Sequence, residues 1–131
     1  MIPKFRVWLP DPDVERMLRV KALVFEHDKT RCVCGYAYDF YLEDEDATLM
    51  QSTGLRDKNG EEIFEGDILA IETDEGILNV NIFWDSKHAL FMFESKKHNE
   101  KDLLAELAED NTYPFEIAGN IYENPELLEA E

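Results

Sequence analysis

The chain has 131 residues with 44% hydrophobic and 11% aromatic content, enough apolar bulk for a packed domain, which excludes disorder as the default state. Its formal net charge is −17, from 13 basic and 30 acidic residues, a balance that disfavours direct binding of nucleic-acid phosphates. No apolar run reaches the ~18 residues of a membrane-spanning helix, and residues 1–10 hold no apolar leader segment, so a cytoplasmic protein with no membrane association is expected.

Lys4 to Leu9 reads as a short strand, stopped by the turn chemistry of Pro10-Asp11-Pro12-Asp13. From Leu18 the pattern alternates: Leu18, Val20, Ala22 and Val24 share one face, with Arg19 and Lys21 on the other, which predicts one half-buried strand. His27 to Thr30 is a polar break. Arg31 to Leu42 reads as a second strand, with Tyr36, Tyr38, Phe40 and Leu42 on one face, and the two strands are expected to form an antiparallel hairpin. Cys32 and Cys34 fall on one face of it. A disulfide between them would be strained, and His27, His88 and His98 do not complete a ligand set, so both read as free thiols with no metal and no cofactor. The acidic run Glu43 to Asp46 reads as a solvated loop or helix start rather than a cation cage.

A turn-rich stretch follows. Asp57-Lys58-Asn59-Gly60 predicts a tight β-turn, because Asn-Gly supplies positive φ at low cost. Glu65-Gly66-Asp67 is a second turn, with Asp67 placed to bond turn amides before a strand at Ile68–Ile71. Thr73 to Gly76 is a third. Leu78, Val80, Ile82 and Trp84 alternate along a strand from Ile77 to Trp84, and another strand spans Leu90 to Glu94. A helix is predicted over about 99–110, capped by Asn99, with Leu103, Leu104, Leu107 and Ala108 as its apolar stripe. Asn111 and Thr112 break it, ahead of Pro114. Phe115, Ile117, Gly119 and Ile121 suggest a last strand with one common face. Asn124-Pro125-Glu126 caps a final turn carrying Leu127 and Leu128, which places the segment from Gly119 to Leu128 in the folded core rather than in a tail, with its acids outside.

Charge is unevenly spread. Residues 1–42 have 7 basic and 6 acidic side chains; residues 43–98 have 5 and 14; residues 99–131 have 1 and 10. Binding of a basic protein stays open on this count.

Three stretches carry a resemblance. They are Leu49-Met50-Gln51-Ser52-Thr53-Gly54-Leu55-Arg56-Asp57-Lys58-Asn59-Gly60, its continuation Glu61-Glu62-Ile63-Phe64-Glu65-Gly66-Asp67-Ile68-Leu69, and Ala118-Gly119-Asn120-Ile121-Tyr122-Glu123-Asn124-Pro125-Glu126-Leu127-Leu128. With the opening Lys4-Phe5-Arg6-Val7-Trp8, they resemble the YopX family of phage and prophage proteins across the whole chain. Two departures are local: Ser52 stands where relatives tend to have an aromatic, and Leu9-Pro10 follows the opening Trp where Asp is common. The resemblance implies a phage or prophage setting and no reaction, so no catalytic residue is carried over.

Read on its own chemistry, the motif lacks the Gly-Lys-Ser/Thr ending of a phosphate loop, and Gly60 comes too early for an EF-hand. Its glycines mark turns. A binding role would fall on Thr53, Gly54, Asp57, Lys58, Asn59, Gly60, Glu65, Gly66 and Asp67. No Gly-x-Ser-x-Gly elbow surrounds Ser52, Ser86 or Ser95, and Asp85-Ser86-Lys87-His88 reads as an exposed turn rather than a triad.

The expected fold is mostly β: five to seven short strands in a small antiparallel SH3-like barrel or strongly bent sheet, with an N-terminal hairpin and one α-helix. One domain over residues 1–131 is expected, divided into a hairpin part (1–48) and a motif part (49–131). The expected function is a non-enzymatic phage accessory protein that binds another protein. The alternatives are an acidic mimic that occupies a host nucleic-acid-binding protein, and an enzyme of unrecognised type. Exposed strand edges also allow self-association.

Overall fold

The computed structural model describes residues 2–11, 13, 16–35, 39–110 and 112–129. The chain divides into two units, Met1–Ser52 and Thr53–Glu131. The fold is mostly β, with antiparallel sheets, three short helices among the described residues and one sheet curled like a half-barrel. Twelve strands occur among the described residues, more than the five to seven expected, because two expected strands are each divided in two and because residues 48–56, 62–64 and 100–103 form strands not expected from the sequence.

In the first unit, β1 (Phe5–Leu9) pairs antiparallel with β2 (Arg16–Arg19) on one side and with β6 (Thr48–Arg56) on the other. β6 runs through the division between units, and its pairs with β1 lie at residues 48–51. The period-two pattern of β1 turns Val7 and Leu9 inward, where both are buried. A second sheet, in the order β3 (Ala22–Phe25), β4 (Thr30–Val33), β5 (Asp39–Tyr41), leaves β3 at one edge.

The alternation from Leu18 to Val24 is therefore not one strand. The chain changes partner at its middle: the Val20 amide donates to the Phe5 carbonyl (3.1 Å), and the next amide, Lys21, donates to the Val33 carbonyl (2.7 Å). Hydrophobic period is blind to such a switch, since β2 and β3 keep nearly the same in–out phase. The expected hairpin across residues 27–30 does form, as β3 with β4. The expected strand from Arg31 to Leu42 is divided into β4, β5 and the short helix α1 (Leu42–Glu45). Tyr36 and Tyr38 lie outside the described residues, as do Pro12 and Asn111. The acidic run thus begins a helix, and Asp46 ends it in the left-handed region at φ 52°. Its charges are locally used: Lys29 donates to Asp44 (2.8 Å), and the Thr30 amide donates to Glu43 (2.8 Å).

In the second unit, β7 (Glu62–Phe64) pairs with β6, and a five-stranded sheet follows the order β11-β10-β9-β8-β12. Its strands are β8 (Asp67–Thr73), β9 (Gly76–Asp85), β10 (Leu90–Ser95), β11 (Glu100–Leu103) and β12 (Phe115–Asn120). This order has two edges, so the bent-sheet alternative is realised rather than a closed barrel. Ile63, Leu69, Ile71, Val80, Ile82, Leu104 and Phe115 form one buried cluster. Each full burial of such a side chain contributes about 1.5–3 kcal/mol.

The predicted helix is half right. α2 spans Leu104–Glu109, with Leu104 fully buried and Leu107 and Ala108 packed on the core. Glu100–Leu103 is instead β11, paired with β10 from Met92↔Leu103 to Ser95↔Glu100. Asn99 does not cap a helix: it sits at φ 53°, closing the turn between the two strands. Asn tolerates that left-handed conformation better than most residues.

The last strand also departs from simple alternation. A bulge between Ile117 and Gly119 shifts the register against β8, so Phe115 and Ile121 do not share one regular face. Beyond it, α3 (Glu126–Glu129) forms after Pro125, as expected, with Leu127 and Leu128 half-buried. Asn79 Nδ2 donates to the Leu127 carbonyl at 3.0 Å, which fastens α3 to β9. The Asn124 side chain points back rather than into the helix, accepting from the Asn120 amide at 3.2 Å.

Candidate functional site

Thr53 and Gly54 lie on β6. Thr53 is buried; its hydroxyl donates to the Ile63 carbonyl (2.8 Å) and accepts the Leu55 amide (3.1 Å), tying β6 to β7. The turn from Asp57 to Gly60 follows. Its Gly60 amide donates to the Asp57 carbonyl (3.0 Å), the closed turn that Asn-Gly predicts.

Asp57 is 8% exposed, and both its oxygens are engaged. Oδ1 accepts the Asn59 and Glu61 amides at 3.0 and 2.9 Å, which shapes the turn. Oδ2 accepts the Ile117 amide at 2.9 Å, and the Lys58 amide donates to the Phe115 carbonyl at 3.1 Å. The turn therefore grips β12, sixty residues further on.

The second turn grips the other end of the same strand. Gly66, at φ 85°, donates its amide to the Ile82 carbonyl (2.8 Å) and accepts the Ile121 amide (2.8 Å). Asp67 is 1% exposed; its Oδ2 accepts the Phe64 amide at 2.8 Å, the turn contact expected of it, and it pairs with Asn120 in the sheet register. Glu65 stands half-buried in this turn.

The C-terminal motif completes the arrangement, a role that no single stretch of sequence announces. Asn120 Oδ1 accepts the Tyr122 and Glu123 amides (3.0 and 2.9 Å), and its Nδ2 donates to Glu123 (2.8 Å). A Cβ on Gly119 would collide with the Asn124 amide group, so this close approach requires glycine. The signal that could have joined the two motifs is their shared wealth of Gly, Asn and Asp, the residues that satisfy turn amides.

The exposed surface of the first turn carries Lys58, paired with Glu72 at 3.0 Å, and Asn59, whose Nδ2 donates to Glu116 at 3.2 Å. The Glu72 carboxylate raises the Lys58 ammonium above its ordinary range. A shallow cleft of about 220 Å³ beside it is lined by Arg56, Asp57, Tyr113 and Phe115, among others. The Asp85–His88 turn is local as well: Asp85 Oδ2 meets His88 Nδ1 at 2.8 Å, a contact that lowers the Asp85 carboxyl below its usual range.

In the first unit the two cysteine sulfurs lie 3.8 Å apart, too far for a disulfide and within hydrogen-bonding reach of each other as thiols. Cys32 is fully buried, and burial pushes its thiol up to about 12; burial raises Cys34 too. Among the described residues no group of three His, Cys, Asp or Glu could hold a metal ion.

The first unit also holds a larger cleft, about 430 Å³, bounded by Lys4, Phe5, Arg19, Lys21, Leu23 and Phe25 among others. Phe25 is 79% exposed and Ile2 81%. In the second unit Ile77, Trp84 and Leu90 are the exposed large apolar side chains, and Trp84 meets Phe91 edge to face at 4.8 Å. The core-facing alternation expected of β9 therefore fades at its Trp84 end.

The family model described as YopX protein matches residues 4–129. Two solved structures are similar. Protein EF1440 from Enterococcus faecalis is 27% identical, with 98% of this chain and 99% of that chain covered at a TM-score of 0.64. Protein yopX from Bacillus subtilis is 18% identical, with 95% and 97% covered and a TM-score of 0.64. No curated protein matches.

Proposed function

This chain belongs to the YopX family, and from that footing we propose that it is a non-enzymatic accessory protein of a phage or prophage that binds another protein in the bacterial cytoplasm. One observation carries the binding reading: Phe25 and Ile2 stand 79% and 81% exposed, large apolar side chains that a partner would remove from water. The non-enzymatic part rests on the motif itself. The carboxylates of Asp57 and Asp67 already accept backbone amides, which is a scaffold's use of a carboxylate. The phage setting follows from the resemblance drawn on the sequence.

A second reading has an observation of its own. Among the described acidic residues, all but Asp57 and Asp67 are exposed or half-buried, so the surface is densely negative. Such a surface can occupy the groove of a protein that otherwise holds nucleic acid.

Affinity capture with the full chain as bait in a bacterial lysate separates these readings. The binding reading expects a protein enriched above a tag-alone control and not displaced by duplex DNA. Displacement by duplex DNA favours the mimic, and enrichment of nothing contradicts both.

A further inference from the structure

The first unit combines three features at one place. β3 is an edge strand of its sheet. The Glu26 amide donates to the Lys29 carbonyl (2.9 Å), which makes Glu26 and Lys29 a hydrogen-bonded pair. By the two-residue period of an antiparallel ladder, Val24↔Arg31 and Ala22↔Val33 are the next such pairs. Leu23 and Phe25 therefore direct their backbone N–H and C=O groups away from β4, toward the free side of the sheet. Both residues also line the 430 Å³ cleft.

The second feature is the charge of that cleft. Lys4, Arg19 and Lys21 line it, and among the described residues no acidic side chain does. Neither Lys4 nor Lys21 has an ion-pair partner among the described residues. The third is the apolar floor and rim of Phe5, Leu23 and the exposed Phe25. A local positive patch persists on a chain of net charge −17 because charges beyond about 8 Å are largely screened at physiological salt.

We propose that this cleft receives an extended acidic peptide of a partner protein, which adds as a fourth strand to β3, sets alternate apolar side chains against Leu23 and Phe25, and places its carboxylates near Lys4 and Lys21. Backbone bonding to the free edge gives register, and alternate side chains give selectivity. This rests on the protein-binding reading above and deepens it by naming the surface and the partner's chemistry.

The probe is a labelled eight-residue peptide of alternating Glu and Val, titrated into the full chain, with its Lys-Val counterpart and a single-stranded oligonucleotide as comparisons. The acidic peptide should bind best, weaken with salt, and slow hydrogen exchange at the Leu23 and Phe25 amides. The double variant Lys4→Glu, Lys21→Glu should weaken it about tenfold, as two exposed ion pairs of usual strength would. Phe25→Ser, at an exposed position, should weaken it with the melting temperature unchanged. Equal binding of the Lys-Val peptide, preference for the oligonucleotide, or no effect of either variant overturns the proposal. Bait carrying the Lys4→Glu and Lys21→Glu changes separates the two claims. If it still captures the wild-type partner, protein binding stands and this cleft does not. If the wild-type chain captures no partner, the broader reading fails.

Discussion

Asp57 sets one carboxylate against three backbone amides, two in its own turn and one on β12. Replacing it with Ala strands three donors at a largely buried site, so Asp57→Ala should cost about 2–4 kcal/mol in denaturant unfolding. A loss below about 0.5 kcal/mol would show that water replaces the carboxylate freely. Gly66 is a backbone case. Its φ of 85° is a conformation a β-branched residue resists, so Gly66→Val should destabilise by about 1–3 kcal/mol, and an unchanged melting curve would refute that. The cysteines make a chemical prediction. Because burial holds Cys32 near 12, its thiol stays protonated and unreactive at pH 8. Iodoacetamide should modify Cys34 first in the folded protein and both residues after denaturation; equal rates in the folded state would mean the Cys32 site opens readily.

At the scale of elements, what the sequence reveals depends on whether a signal is local. The turns at Asn59-Gly60 and Thr73–Gly76 were legible because Gly60 and Gly76, at φ 81° and 117°, occupy a backbone region that few residues tolerate. The switch at Val20–Lys21 was not legible, since it depends on two partner strands distant in sequence. Glu100–Leu103 reads as helix in the sequence because a polar stretch beside an apolar stripe has no period of its own; pairing with β10 decides it as strand. The C-terminal strand and α3 were legible as folded, while the bulge at Ile117–Gly119 needed β8 to be seen. Leu127 and Leu128 are half-buried, so together they contribute roughly half of two full burials, about 1.5–3 kcal/mol. A chain ending at Glu123 should therefore melt below one ending at Leu128. Equal melting temperatures would reduce α3 to an appendage.

Across the whole molecule, charge and motif have separate consequences. A net charge of −17 repels itself, and raising salt from about 0.01 to about 0.15 M shortens the screening length from about 30 to about 8 Å, so the melting temperature should rise. The motif is legible as a motif because Thr53, Asp57, Asp67, Gly60 and Gly66 meet the backbone demands of its strand and turns, while Lys58 and Asn59 turn their side chains to Glu72 and Glu116. The basic, apolar cleft of the first unit was not legible, because Lys4, Arg19, Lys21 and Phe25 meet only when two sheets form. We propose that the motif turns are scaffold and that the partner is held at the cleft of the first unit. The most direct test is partner capture by two full-length variants, Lys58→Ala with Asn59→Ala on the exposed face of the motif turn, and Phe25→Ser on the cleft. The first should retain the partner, and the second should lose it with an unchanged melting temperature. Loss of the partner by the motif variant, with its fold intact, would contradict the account.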